Sequence, residues 1–374
     1  MAGANLQTML GAPNLAGILR QVEPGLAEDI IPPAFLKVGR RITGNVFEQT
    51  VTEGERRMAR ASLYGSPSQT YEAKGLGIRS FSCVHTAHNT SFEASTLMNL
   101  FKPDTTQAQD IAAAEVEREM VDFRQTFRNL RIACVTSLLT NQAIYFNSVG
   151  EVQASSTTPA LTVQFNMPAS NTGQLPVFGT ALLTASWATA GTDIITQIKN
   201  LKVAARQLTG FPLRHAFYGA NIFNYLISNT VLQAYLKHNP QFQAGFMQYE
   251  IPDDFMGLIW HPMEQAFLVN MNTNKGGAIS AETVHGTFAA TQVVFTPEPD
   301  RGWYELVEGS EYVPQSIDLV GEYGTALKDY RHEFGPWAYA KSADDPLRLI
   351  AYMGDNFLPT LRAPKAIFNA TVAF

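Results

Sequence analysis

Apolar residues return at steps of four and three along one stretch of the chain: Val116, Met120, Phe123, Phe127, Leu130 and Cys134. That spacing places them on a single stripe of an α-helix. Pro103 and Asp104 precede the stretch, and Asp104 with Gln107 has the spacing of a capping box. The pattern predicts a helix from Thr105 to Leu139, about 50 Å long at 1.5 Å per residue. A second helix starts near Thr192-Asp193, where Ile194, Ile198, Leu201, Ala205 and Leu208 repeat at four and three, and TGFP closes it with Gly210 and Pro212. A third helical stretch covers NIFNYLISNTVLQAYLKHN.

Elsewhere the period changes. Residues 64–95, YGSPSQTYEAKGLGIRSFSCVHTAHNTSFEAS, hold two weakly alternating runs around Gly75 and Gly77, which predicts a long two-stranded hairpin or extended loop. Its alternation is too polar to define one buried face, so a partner surface is needed to cover it. LTVQFNM, GLIWHP, AFLVN, QVVFTP and WYELVE read as strands separated by turns. Residues 1–60 are punctuated by Gly, Pro, Asn and Gln, and EPGLAEDIIPPAFL is extended around Pro32 and Pro33. They read as a frayed terminus or as an arm ordered against a neighbour. One long helix, an extended segment before it and a mixed block after it make an α+β chain.

Composition sharpens this picture. The 374 residues are 45% apolar and only 16% charged, against roughly 25% charged in an ordinary domain. So little charge implies a large core or burial in an assembly. The net charge of −6 does not suggest a basic nucleic-acid-binding face. Two distant cysteines, Cys83 and Cys134, fit a reducing compartment and neither a disulfide framework nor a zinc ribbon. The start MAGANLQTMLGAPNLAGILR lacks a signal-peptide pattern, and no run of about eighteen apolar residues suggests a membrane span. A soluble protein made in the cytosol is expected.

Charge on the long helix is segregated. Asp110, Glu115, Glu117, Glu119 and Asp122 come first, then Arg124, Arg128 and Arg131, with Arg118 the exception. The helix dipole favours this order only near the ends. It reads either as a solvated face or as opposite charge faces for neighbouring copies.

Motifs for chemistry are missing. The chain has no GxxxxGK[ST], GxSxG or HExxH, and GLGIRS at Gly75 lacks the third glycine and following helix of a dinucleotide loop. His85 and His88 lie three apart, which on a strand sends them to opposite faces. Asp253-Asp254 and Asp344-Asp345 sit where turn formers sit, without a converging third group. Cys134 lies on the apolar stripe, so packing explains it. No catalytic, cofactor or metal site is expected. The stretch GPWAYAKSADDP, from Gly335 to Pro346, reads as a rigid turn, with Trp337 and Tyr339 as aromatic anchors between a helix-breaking Gly-Pro and a turn-forming Asp-Asp-Pro.

The ordered set of parts resembles the tailed-phage major capsid proteins of the Hong Kong 97 fold, and within them the lambda-type major capsid protein E family. TDIITQIKNLKVAARQLTGFPLRHAFYGANIFNYLISN is similar to that family's helix, glycine turn and second helix. IPDDFMGLIWHP and QVVFTP look like strands of its axial domain. FGPWAYAKSADDPLRLIAYMGDNFLP followed by LRAPKAIFNATV looks like its close, where a proline-led strand returns to the peripheral domain.

The resemblance implies an N-terminal arm over 1–60, an extended β-hairpin loop over 61–100 and a peripheral domain with a long spine helix over 101–185. An axial domain over 186–305 and a return to the peripheral domain over 306–374 follow. It implies a shell subunit, not an enzyme, that assembles as hexamers and pentamers into an icosahedral head. The expected partners are other copies of itself, a portal protein, a separate scaffolding protein, a decoration protein and packaged double-stranded DNA held weakly inside. Such a protein ends in the virion after assembly in the host cytoplasm. Subunit-interface candidates are Tyr71, Lys74, Arg79 and Phe81 on the extended segment, Glu115, Glu119, Arg128 and Arg131 on the helix, and Trp337 with Tyr339. Some relatives crosslink a loop Lys to an Asn of a neighbour. Lys74 and Asn369 are the conceivable pair here, but Lys74 in YEAKGLG lacks an apolar setting that would lower its pKa. A noncovalent shell is expected. The rival readings are an encapsulin-like nanocompartment shell and a metabolic enzyme.

Overall fold

The computed structural model describes residues 31–51, 77–92, 106–141, 143–146, 152–153, 161–165, 172–173, 177–178, 180–181, 185–238, 246, 251–252, 254–263, 288–314, 330–344 and 347–373. The long helix runs Thr106–Asn141, 36 residues or about 54 Å. Its stripe is buried as the spacing predicts: Met120, Phe123, Phe127 and Cys134 are all enclosed, and Leu130 packs against the same core.

The helix lies on a five-stranded mixed sheet whose organiser is the long strand Leu347–Leu361. That strand pairs antiparallel with three others. Trp337–Asp344 takes its first half, Tyr304–Glu308 its second, and Val84–Phe92 the opposite edge from Leu349 to Phe357. Val38–Arg41 then adds in parallel to Tyr304–Glu308. The core between helix and sheet gathers Val135, Leu138 and Leu139 with Trp303, Leu306, Phe357 and Leu358.

A second five-stranded sheet runs in the order Ile259–Pro262, Leu213–Tyr218, Gln292–Pro297, Phe368–Thr371 and Thr172–Gly173. The helix Ile194–Thr209 packs on it through Ile194, Ile198, Leu201 and Ala205. Asp193 caps its first turn by accepting from the Thr196 amide, and Gly210 ends it with φ 79°, a left-handed turn that glycine adopts without strain.

Six expectations change. Within the described part of 64–95, the partners lie in the same chain: Gly77–Ser82 pairs with Val46–Val51, while Val84–Phe92 joins the long strand. Both runs need long-range partners because neither carries an apolar face of its own. Of the arm expected over 1–60, the described residues 31–51 join the subunit's own core, where Ile31 and Phe35 are fully buried. The third helix breaks into Ile222–Ser228 and Thr230–Lys237, because Asn229 between them is extended (ψ 120°). Leu208 is exposed, and Thr209 takes the buried place at the helix end. Within GPWAYAKSADDP the described residues bend at Gly335, at φ 67°, and at Pro336, and Trp337–Asp344 is a strand that pairs along the long strand. Finally, the proline-led close does not return to the first sheet. Phe368–Thr371 pairs with Gln292–Pro297 in the second.

Candidate functional site

Arg131 sits at the edge of the buried stripe, where a long cationic side chain must find partners or be costly. It finds two. Its Nε donates to Asp355 Oδ2 at 2.6 Å and its Nη2 to Asp355 Oδ1 at 2.7 Å, a bidentate pair. The same Nη2 donates to Glu308 Oε1 at 3.0 Å, and the guanidinium lies 5.2 Å from the centroid of the Phe357 ring. Arg41 donates to the other oxygen of Glu308 at 3.2 Å from the solvent side. Gly335 gives this centre room, since a Cβ there would strike the Glu308 carboxylate. The Asp355 backbone is held by Thr86, whose hydroxyl donates to the Asp355 carbonyl at 3.0 Å.

The electrostatics follow from burial and pairing. Burial opposes the Arg131 charge, but Asp355 and Glu308 outweigh it and hold the guanidinium protonated. Burial raises the Asp355 carboxyl and Arg131 draws it back. Beside this centre, Asn356 donates to Glu311 Oε2 at 3.1 Å and to Asn45 Oδ1 at 3.3 Å. His85 Nδ1 lies 2.7 Å from Asn356 Oδ1 and 3.5 Å from Glu311 Oε2.

A second polar group lies on the other sheet. His215 Nε2 is 3.2 Å from Glu298 Oε2, and His215 Nδ1 is 3.0 Å from His261 Nε2. A carboxylate can only accept, so neutral His215 donates Nε2–H to Glu298 and accepts the His261 Nε2–H at Nδ1. Burial, then the neighbouring His215, pushes His261 down to about 4. Burial also lowers His215. Phe35 packs edge-on to His215, with ring centroids 5.6 Å apart. Sequence reading missed this pair because only the parallel register of Leu213–Tyr218 with Ile259–Pro262 brings it together.

Among the described residues neither cysteine is a ready nucleophile. Burial raises the Cys83 thiol to about 12 and drives Cys134 higher still, so both stay protonated. Among the described residues no set of three His, Cys, Asp or Glu converges as metal ligands. His88 points away from His85 and stacks on Phe127 at 6.0 Å, while His85 stacks on Trp337 at 6.1 Å. Among the described residues no helix is long and apolar enough to cross a membrane.

The interface candidates separate by location. Tyr71 and Lys74 lie outside the described residues, as does the side chain of Glu115. Phe81 is buried against Phe165 at 5.1 Å and Phe47 at 6.0 Å. Trp337 is buried and begins a stack through Tyr339 (5.9 Å) to Tyr352 (4.9 Å). Phe81 and Trp337 are buried, and Arg131 is held by Asp355 and Glu308. Arg79, Glu119, Arg128 and Tyr339 are half-buried and retain surface. Asn369 is buried, its Nδ2 donating to the Thr140 carbonyl and its Oδ1 accepting from Gln292 at 2.7 Å.

One cleft of about 300 Å³ opens beside the long helix, between Pro33–Lys37, the turn at Pro336 and helix residues 124–131. Its lining carries Lys37, Arg124, Arg128 and Arg131, with Asp355 the single acid.

The model of one family, phage major capsid protein E, matches residues 28–295. No curated protein matches the chain by sequence. Among solved structures, a protein described as a prophage capsid protein from Escherichia coli CFT073 is similar in fold: 12% identity, TM-score 0.53, covering 97% of this chain and 99% of that one. A phage-related protein from Bordetella bronchiseptica RB50 has 9% identity and a TM-score of 0.49 over 97% and 98% of the two chains. An encapsulin, SrpI from Synechococcus elongatus PCC 7942, has 6% identity and a TM-score of 0.42 over 94% and 91%.

Proposed function

We propose, since the chain belongs to the phage major capsid protein E family, that it works as the repeating subunit of an icosahedral phage head. The match over residues 28–295 carries this reading. The subunit's own chemistry agrees with a structural role: its buried ionic groups are spent on holding segments together.

Assembly proceeds by hexamers and pentamers, through many weak contacts summed over a closed lattice. A separate scaffolding protein directs it, a portal occupies one vertex and a decoration protein reinforces the surface. The net charge of −6 suits a wall that confines double-stranded DNA without gripping it, since phosphate attraction grows with each Lys or Arg offered. The shell is held without covalent crosslinks, because the Asn369 amide is already engaged inside the subunit.

Negative-stain microscopy and sedimentation of the purified chain, alone and with the scaffolding protein of its own genome, test this. Closed shells are expected, running on a boiled denaturing gel as one band near 41.1 kDa. A monomer that persists at high concentration with scaffold present would overturn it. Shells that enclose a cargo enzyme instead of a genome would favour the nanocompartment reading.

A further inference from the structure

We infer that His215 and His261 form a two-histidine site for a divalent transition-metal ion of the zinc class, with Glu298 locking the pair from behind. This goes beyond the shell reading and does not depend on it. Leu213–Tyr218 and Ile259–Pro262 run parallel, and their register sets His215 Nδ1 3.0 Å from His261 Nε2. The ring centroids are 5.2 Å apart, so nitrogens only 3.0 Å apart lie nearly on the line between them. The rings meet edge to edge. Two imidazole nitrogens bound to one tetrahedral zinc at about 2.0–2.1 Å stand about 3.3 Å apart. The pair therefore needs to spread by only roughly 0.3 Å to hold an ion where it now shares a proton.

Glu298 distinguishes this pair from packed histidines. Its Oε2 lies 3.2 Å from His215 Nε2, while His261 is met by the other ring nitrogen, Nδ1. Glu298 thus holds His215 in the tautomer that leaves Nδ1 a lone pair, as the outer carboxylate of a metal-ligating histidine does. Burial keeps both rings neutral at neutral pH, which ligation requires. When an ion enters, His261 moves its proton from Nε2 to Nδ1, so the pair neither gains nor loses a proton. Arg214, the cation that acts on His215, is held by Asp254 at 2.8 Å.

An independent observation points the same way. Thr296 pairs with His215 across the antiparallel ladder and so shares its face of the sheet. It is fully buried and its hydroxyl oxygen has no hydrogen-bond partner, which is rare for a buried group. A water on the ion supplies that partner. The described residues offer two ligands rather than three, so water completes the coordination. The side chain of Glu298 is 36% exposed and His261 is half-buried, which leaves a way in. Phe35 and Phe217 pack against His215, with ring centroids 5.6 and 6.4 Å from it. Bound there, the ion ties the short edge strand Ile259–Pro262 to the body of the second sheet.

The test is a calorimetric titration of zinc chloride into the full chain, stripped of metal with a chelator, with melting midpoints in parallel. One zinc per chain and a raised midpoint are expected. His261→Gln should weaken binding at least about tenfold and remove the zinc-dependent rise. Glu298→Gln should weaken binding about 10–100-fold. His85→Gln, at an exposed histidine beside Glu311, should change neither. Midpoints without zinc check that each variant folds. No bound zinc overturns the inference. So does binding that survives His261→Gln, which marks chance ligation by exposed histidines. If His261→Gln does not fold, Glu298→Gln decides, and binding as tight as the parent's overturns the inference. Shell formation enters none of these readings, so their failure leaves the shell reading standing.

Discussion

The two five-stranded sheets are held together in different ways. In the first, the central polar contact spans the chain: Arg131 meets Asp355 across 224 positions and Glu308 across 177. In the second, the contacts that fix the helices are short in sequence, although Gln292 reaches Asn369 across 77 positions. Trp187 donates its indole N–H to Gln197, ten positions away, and Asn229 donates to the Thr192 carbonyl, 37 away. The first region is a junction of remote segments that ions pin in one register. The second is assembled from neighbouring turns and caps around an apolar core. Fixing a buried ion cluster specifies geometry more than it adds net stability, and removing one member leaves the others exposed to a low dielectric. A loss in the first region should therefore spread to every segment joined there, while a loss in the second should stay near its origin.

The largest test of this contrast is Arg131→Ala, which strands two buried carboxylates. A loss of about 3–5 kcal/mol in subunit stability is expected. Replacing Arg131, Asp355 and Glu308 together by apolar residues of similar volume should recover most of it in denaturant unfolding. If Gln197→Ala on the second sheet destabilises as much as Arg131→Ala, the contrast is wrong.

Packing in the first region is tested next by Phe123→Ala, which opens a cavity in the helix stripe at about 3–5 kcal/mol. Gln125→Ala removes only a hydrogen bond to Asn129 at 3.0 Å, worth about 0.2–0.5 kcal/mol for such a pair. Equal thermal midpoints for the two variants would remove the helix from the core.

Acid should distinguish the regions from the other side. Below about pH 6.5 an unfolded histidine takes a proton that folded His261 refuses until about 4. The unfolded state then binds more protons, so stability falls as pH falls from 6.5 to 4 and levels off below. The loss attributable to His261 is about 3 kcal/mol. Around the pair, the charged groups are Glu298, which favours protonation of His215, and Arg214, which opposes it. His261→Gln should flatten the decline in a series of unfolding curves across that window. An unchanged slope would show that other groups govern acid sensitivity.

The smallest effect is local. Asn229→Ala removes a helix cap that accepts from the Leu232 amide at 2.8 Å and a tie to Thr192. A loss of about 1–2 kcal/mol is expected. Hydrogen exchange should show faster opening of Ile222–Lys237 alone, and opening of the first sheet as well would break the comparison.

How far each region could be foreseen follows the same division. The long helix, the helix Ile194–Thr209 with its Gly210 close, and the strands QVVFTP and YELVE were legible because their signals are local: a 3.6-residue period, a cap, a glycine turn, a β-branched run. Arg128 and Arg131 were legible as a charge run, but not that one lines a cleft and the other closes an ion cluster. Trp337 and Tyr339 stood out as anchors, yet read as a turn, since strand pairing along Leu347–Leu361 is no property of those twelve residues.

Sequence by itself determined where helices lie, which face of each is apolar, and that the chain is poor in charge. Those features depend on residues within a few positions of one another. Tertiary structure alone decided which strands share a ladder, where Phe368–Thr371 ends and which side chains meet as Arg131–Asp355–Glu308 and His215–His261–Glu298. Pairing in a sheet depends on register between segments hundreds of residues apart, and a one-residue slip would turn every side chain to the other face.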